Sequence, residues 1–252
     1  MSFQRRQFLT AAAAGMLLAA MPTGARAGKQ FKAVAFDGFP IFDPRPVAAL
    51  AETLFPGNGA VLSTAWRTRQ FEYQWLRALA GRYSDFREAT DSALTFAATS
   101  LQLDLTADKR AQLMNLWANL DVWPDVPAAV ASLRKAGVRL AILSNMTQKM
   151  LDEGIQRAGL NGQFEHVIST DRVQSYKPDP RAYRLTMDAM KLKPGEILFA
   201  AFAGWDVAGA KWFGHPTFWV NRLKSPMEEI GNPPDAMGSG MQELVEFALT
   251  GA

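Results

Sequence analysis

Five short runs rich in β-branched or aromatic residues, at 32–36, 139–143, 165–168, 197–201 and 217–220, most restrict how this chain can fold. Single helical segments separate the last four. Asp125 precedes the 126–136 segment as a candidate N-cap and Gly137 ends it, while the 147–158 segment stops at Gly159. Asp179-Pro180 opens 181–190 with a cap followed by an N1 proline, and Asp206 opens a last helix that Gly214 ends. Strands joined by single helices require right-handed crossovers and give a parallel sheet with helices on both faces. The expected fold is α/β: a three-layer Rossmann-like core around a parallel five-stranded sheet.

The stretch 44–122 breaks this alternation. It holds no convincing strand but carries helical patterns at 62–80 and 107–120, the latter with Thr106 as a candidate N-cap. It reads as an inserted helical cap domain, leaving 28–43 and 123–252 as the core domain. In open parallel sheets the ligand sits outside the carboxyl ends of the strands, so a cap inserted after the first strand would close over that edge. Substrate is expected between core and cap.

The first 27 residues stand apart. Arg5 and Arg6 precede Phe8 and Leu9, an uncharged run follows to Met21, and Ala25-Arg26-Ala27 supplies small residues where a signal peptidase reads. This resembles a twin-arginine signal peptide, implying a twin-arginine translocase as export partner and a periplasmic location. The segment holds three of the chain's 27 Lys and Arg residues and none of its 24 Asp and Glu. The remainder therefore carries equal numbers of each sign, which gives no basis for a nucleic-acid partner. With no Cys, thiolate nucleophiles and thiolate metal sites are excluded. Only His166 and His215 supply imidazole, too few for a zinc cluster and a poor basis for a Ser-His-Asp triad.

If the strands are parallel, the residues leaving their carboxyl ends face one crevice: Asp37 after the first, Ser144 and Asn145 after the second, Lys177 beyond the third and Asp206 after the fourth. Taken singly, each has an ordinary structural role as a turn residue, a helix cap or a solvated charge. Together they bring two carboxylates, one lysine and two small polar groups to one edge. A lysine beside a carboxylate favours its ionised form and offsets its desolvation, keeping it able to attack carbon or phosphorus.

The succession Phe36-Asp37, Leu143-Ser144-Asn145, Tyr176-Lys177-Pro178-Asp179 and Trp205-Asp206 resembles the four motifs of the haloacid dehalogenase superfamily, in the expected order. Ala65-Trp66-Arg67, the run from Phe71 to Arg77, Arg82-Tyr83, and Ser175 to Asp179 followed by Tyr183 are most similar to the type II L-2-haloacid dehalogenases. Phosphatases of the superfamily usually carry a second Asp two residues after the nucleophile. Phe39 stands there instead, removing a magnesium-supporting carboxylate and the proton donor for an alkoxide. A halide needs no proton on leaving, so no metal or other cofactor is expected.

The resemblance implies a hydrolase that removes halide from small L-2-haloacids, a small-molecule 2-halo carboxylic acid being the substrate, and releases 2-hydroxy acids. Asp37 would form a covalent ester, which water then hydrolyses. Arg67 would stabilise the halide or clamp the substrate carboxylate, Asn145 would assist the halide, and Ser144 with backbone N–H groups would hold the carboxylate. Lys177 would orient Asp37, Tyr183 would support the site and Asp206 would position or activate water. Phe39, Phe86 and Trp205 would line the pocket. Related dehalogenases are often homodimers.

Two departures bear on the second step. The family's Tyr-Gly-Thr after the nucleophile is Phe39-Pro40-Ile41 here, and its Ser-x-Asn-x-x-Asp is Ala201-Phe202-Ala203-Gly204-Trp205-Asp206. Side chains that hold the hydrolytic water and tie down the Lys and Asp are thus missing. Losing one such group commonly costs on the order of 3 kcal/mol of transition-state stabilisation. The alternative reading is accordingly a homologue that keeps the fold but has impaired or lost turnover, acting as a binding or scavenging protein.

Overall fold

The computed structural model describes residues 31–251, so the export segment expected at 1–27 lies outside the described residues. The order is β1 (Ala33–Phe36), α1 (Gly38–Ile41), α2 (Arg45–Leu54), α3 (Gly59–Leu79), α4 (Phe86–Ser100), α5 (Ala107–Ala118), α6 (Val126–Lys135) and β2 (Arg139–Ser144). It continues through α7 (Gln148–Arg157), β3 (His166–Ser169), α8 (Pro180–Met190), β4 (Ile197–Ala201), α9 (Gly204–Phe213), β5 (Thr217–Val220), β6 (Ala236–Gly238) and α10 (Met241–Thr250). The strands form one parallel sheet in the order β3-β2-β1-β4-β5-β6.

Two-residue periodicity splits the sheet into two buried faces. Ala33 and Ala35 pack with Tyr183, Val207 and Ala210 of α8 and α9, while Val34 and Phe36 join Val130, Leu133 and Leu244 of α6 and α10. A parallel strand covered on both faces must be apolar throughout, as all four residues of β1 are. Burying each large apolar side chain stabilises by roughly 1.5–3 kcal/mol. The α/β Rossmann-like expectation therefore holds.

The sheet has six strands rather than the expected five. The extra one, β6, extends the edge beyond β5 with Trp219 opposite Met237. Three residues ending in Gly, exposed at Met237, carry neither a run of apolar side chains nor an alternation, so the sequence gives no strand signal there. Asp235 stitches the strand in through its carboxylate, which accepts from Thr217 N at 2.7 Å. The caps on Thr106 and Asp179 form as expected, and Thr147, read as the first residue of its helix, caps α7 instead. Asp125 precedes α6 but makes no side-chain cap, and Asp206 does not open α9; Ala203 does, without a capping side chain. Both carboxylates are instead drawn into ion pairs.

Helices α2 to α5 lie between β1 and β2 in sequence. At the two ends of that stretch, Phe42 and Val122 form an antiparallel bridge, and Asp43 N donates to Asp121 O at 2.8 Å. Strand β1 sits between β2 and β4, where the chain order reverses across the sheet. Crevices form at such a point, and Asp37 leaves β1 into it.

Candidate active site

Asp37 is held first by its own backbone. Its N–H donates to Ala200 O at 2.9 Å, and one carboxylate oxygen accepts from Phe39 N at 3.2 Å. Gly38 then allows a close approach to β2, since a Cβ there would stand 2.5 Å from Ser144 Oγ.

The next four residues hang from a cluster on the far side. Trp123 Nε1 donates to Phe39 O at 3.0 Å and to Phe42 O at 3.1 Å, and Trp123 N donates to Ile41 O at 3.0 Å. Arg222 donates to Pro40 O at 3.3 Å while pairing in two-pronged fashion with Asp125 at 2.7 and 3.0 Å. Arg222 and Arg45 each lie over the Trp123 ring, 4.4 and 4.3 Å from its centroid. Four successive carbonyls thus gain donors where Pro40 has no N–H and Ile41 no hydroxyl. Trp123→Phe keeps an aromatic ring and removes one donor. Its expected effect is to leave the Phe39 and Phe42 carbonyls short of a donor and to lower stability by about 1–3 kcal/mol, read by thermal unfolding.

Lys177 is 1% exposed and donates to both Asp37 Oδ1 at 2.6 Å and Asp206 Oδ2 at 2.5 Å. Burial pushes its ammonium down, but Asp206 and Asp37 outweigh that and hold its pKa above the ordinary lysine value. Tyr183 donates to Asp206 Oδ1 at 2.7 Å. Burial and the neighbouring Asp37 push the Asp206 carboxyl up to about 6 against the opposing pull of Lys177 and Tyr183. Burial, with Asp206 and Asp37 beside it, keeps the Tyr183 phenol well above its usual range and therefore a donor. Gly209 makes room for that phenol, because a Cβ there would stand 2.5 Å from Tyr183 Oη.

The Lys177 backbone is gripped from both sides. Its N–H donates to Asn145 Oδ1 at 3.0 Å, and its carbonyl accepts from Trp75 Nε1 at 3.0 Å. Asn145 Oδ1 also accepts from Thr170 Oγ1, and Asn145 Nδ2 donates to Gln74 Oε1 at 3.2 Å. Adjacent residues of α3, Gln74 and Trp75, therefore fix the two core motifs across the crevice.

A cavity of about 490 Å3 opens beside this network. Asp37 and Asn145 reach it from the core, Arg67, Gln70, Phe71 and Trp75 from α3, and Phe86 and Trp117 from α4 and α5. Phe39, Phe202, Ala203 and Trp205 complete the inner lining, while Leu223, Met227 and Glu228 come from the β5–β6 connection. Arg67 is exposed and makes no hydrogen bond or ion pair among the described residues.

The structure thus brings together Asp37, Lys177, Asp206, Tyr183 and Asn145, and places Arg67, Phe39, Phe86 and Trp205 on the cavity. Ser144 lies beside Gly38, but its hydroxyl accepts from Met146 N at 3.1 Å and does not line the cavity. Gln74, Trp75, Trp117 and Phe202 were missed. The spacing Arg67, Gln70-Phe71, Gln74-Trp75 marks one face of a helix and could have revealed the α3 members. Trp117 and Phe202 carried no local signal.

Residues 12–214 match the family described as haloacid dehalogenase-like hydrolase. The chain is 40% identical over 222 residues to the (S)-2-haloacid dehalogenase of Pseudomonas sp. (strain YL), spanning 88% of this chain and 96% of that one. It is 39% identical over 220 residues to haloacetate dehalogenase H-2 of Moraxella sp. (strain B), spanning 87% and 98%. Among solved structures, the L-2-haloacid dehalogenase RSc1362 superposes with a TM-score of 0.85 at 41% identity, over 88% of this chain and all of that one. The Xanthobacter autotrophicus L-2-haloacid dehalogenase with chloropropionic acid covalently bound gives 0.78 at 33% identity, over 86% and 98%.

Proposed function

The chain belongs to the haloacid dehalogenase-like hydrolases, and on that premise we propose that it removes halide from L-2-haloacids through a covalent ester on Asp37, releasing 2-hydroxy acids. The observation that carries this is the Lys177 ammonium bonded to both Asp37 and Asp206 at the wall of the cavity that Arg67 enters. An Asp37 oxygen attacks the carbon bearing the halogen. The carbon–oxygen bond forms as the carbon–halogen bond breaks, the halide leaves with the electron pair, and the configuration inverts. Water then adds to the Asp37 carbonyl carbon as Asp206 takes one of its protons. The bond from that carbon to the ester oxygen breaks, the leaving oxygen takes the proton from Asp206 to become the product hydroxyl, and the Asp37 carboxyl loses its remaining proton to solvent. The Xanthobacter autotrophicus relative with its covalently bound chloropropionic acid supports the ester step.

Arg67 binds the substrate carboxylate or the departing halide, Asn145 assists the halide, and Lys177 orients Asp37. Ser144, turned to the backbone, supports the β2 exit and the N–H groups around it. Tyr183 aligns Asp206, which activates water. Phe39, Phe86 and Trp205 surround the halogenated carbon. Residues 44–122 act as a cap, with 28–43 and 123–252 as the core, and the Phe42–Val122 bridge at the ends of the cap stretch supports that division. Arg5-Arg6 and Ala25-Arg26-Ala27 support reading residues 1–27 as a twin-arginine signal that delivers the enzyme to the periplasm. Leu76 and Leu79, exposed on α3, support a homodimer.

Activity is expected to fall as pH drops through about 6, because protonated Asp206 cannot accept a proton from water. The sign for stability is opposite. The folded chain takes up the Asp206 proton near pH 6 and the unfolded chain only near ~3.9, so this group destabilises above pH 6 and the penalty fades between the two values. A pH profile of hydrolysis alongside thermal unfolding separates the two.

A specific observation favours a second reading, a protein that alkylates and stalls: Ala203 stands on the cavity wall and Ala201 is fully buried at the end of β4. Incubation of the purified protein with L-2-chloropropionate, measuring chloride and the mass of the Asp37 peptide, distinguishes the readings. Catalytic chloride release supports the hydrolase, and a stoichiometric adduct indicates the stalled form. The absence of both chloride release and an adduct, with this and other 2-haloacids, would sink the dehalogenase proposal. If an adduct accumulates, Ala203→Asn is expected to shorten its lifetime about tenfold or more by restoring a donor for water, as read by mass against time.

A further inference from the structure

The cavity is far larger than the reaction needs. At about 30 Å3 per water-sized group, an acid of about six heavy atoms such as 2-chloropropionate occupies on the order of 180 Å3 at most. The volume here is about 490 Å3, and seven of the 21 residues that line it are aromatic. One ring cluster sets Phe39 5.8 Å from Trp117 and 5.9 Å from Phe202. A second sets Phe71 5.6 Å from Trp75 and 5.3 Å from Trp205. The pairs are edge-to-face for Phe39–Trp117 and Phe71–Trp205, stacked for Phe71–Trp75 and tilted for Phe39–Phe202, and aromatic walls in such arrangements favour another ring at the same spacing.

The charges narrow the choice. Arg67 is the one cation in the lining among the described residues, and it suffices for a single carboxylate. The other charged lining groups besides Asp37 are Glu72, which pairs with Arg69 at 2.8 Å, and Glu228. A second carboxylate on the substrate would meet like charge. At the outer end, Leu223 and Met227 line the cavity while staying 43% and 41% exposed, so apolar surface continues towards solvent. Phe202 stands between Ala201 and Ala203, and so the segment short of polar donors is also the one that adds an aromatic wall.

Resting on the dehalogenase reading, we propose that the preferred substrate is an L-2-haloacid whose substituent on the reacting carbon is a bulky, uncharged arylalkyl group, with Phe202 as a specificity-determining residue. The substrate carboxylate lies at Arg67, the halogenated carbon at Asp37, and the ring between the two aromatic clusters. At about twelve heavy atoms, 2-chloro-3-phenylpropionate needs at most roughly 360 Å3 on the same scale and fits the cavity.

The test compares chloride release from (S)-2-chloro-3-phenylpropionate and (S)-2-chloropropionate, and measures binding of halogen-free 3-phenylpropionate and propionate by quenching of Trp fluorescence. The expected result is a kcat/KM about tenfold or more higher for the phenyl substrate, with a similar ratio in binding. Phe202→Ser is expected to bring both ratios below about threefold. Equal or lower kcat/KM for the phenyl substrate, or equal binding of the two halogen-free acids, overturns this inference and leaves the dehalogenase reading standing. Tight binding of 3-phenylpropionate without chloride or an Asp37 adduct from either chloroacid overturns the dehalogenase reading while upholding the ligand class.

Discussion

Lys177→Met is expected to abolish turnover at neutral pH and to destabilise the fold by about 3–5 kcal/mol, the usual penalty for removing one partner of a buried ion pair. The ammonium is bonded to Asp37 and Asp206 at once, and all three groups are buried. Without it two carboxylates share one desolvated space, and proton uptake is the cheapest way to relieve their repulsion. A protonated Asp37 is a poor nucleophile, so the loss of activity and the loss of stability share one cause. In a chain of this size the penalty corresponds to a fall of roughly 10 °C in melting temperature. A variant that melts like the parent and releases chloride within tenfold of its rate would show that Lys177 neither orients nor charges Asp37.

Asp37→Asn is expected to be as damaging to catalysis and nearly harmless to the fold. An amide cannot open the ester pathway, so chloride release should fall on the order of 10^4-fold or more and no adduct should form. Lys177 keeps Asp206 as its partner and can still donate to the amide oxygen, so only the bond from Phe39 N is lost. Removing one of two neighbouring carboxylates also relieves their repulsion. Melting temperature is therefore expected to stay within a few degrees, roughly the equivalent of 1 kcal/mol. Residual catalytic chloride release, with a mass adduct on another residue, would relocate the nucleophile. The contrast with Lys177→Met separates chemistry from electrostatic support.

The strand ends were readable because each strand is a short apolar run between caps and glycines, and the residue that follows is exposed to inspection by position alone. Asp37, Lys177 and Asp206 were found that way. Strand β6 was not, because an edge strand of three residues is held by its ladder to β5 and by Asp235 rather than by its own hydrophobicity. The assignment of Asp206 as a helix cap failed for a related reason: a carboxylate near a helix start caps it only when no stronger partner is in reach, and Lys177 is in reach.

Support for the site was less legible than the site. Trp123 and Arg222 grip the Phe39 to Phe42 carbonyls from positions about 80 and 180 residues away in sequence, and backbone acceptors leave no mark on residue identity. Gln74 and Trp75 were visible as part of a helical face, but not as partners of Asn145 and Lys177.

By itself the sequence determined the chemical inventory and its order: no thiol, one lysine and two acids at the ends of apolar runs, a Phe where a second Asp would direct phosphate chemistry, and alanines where water-holding side chains would stand. Only the tertiary structure decided what those groups became. Lys177 meets Asp37 and Asp206 across 140 and 29 residues of chain, and burial there sets which charges persist. Ionisation and donor satisfaction depend on distance and desolvation, which belong to packed neighbours rather than to any residue's place in the chain.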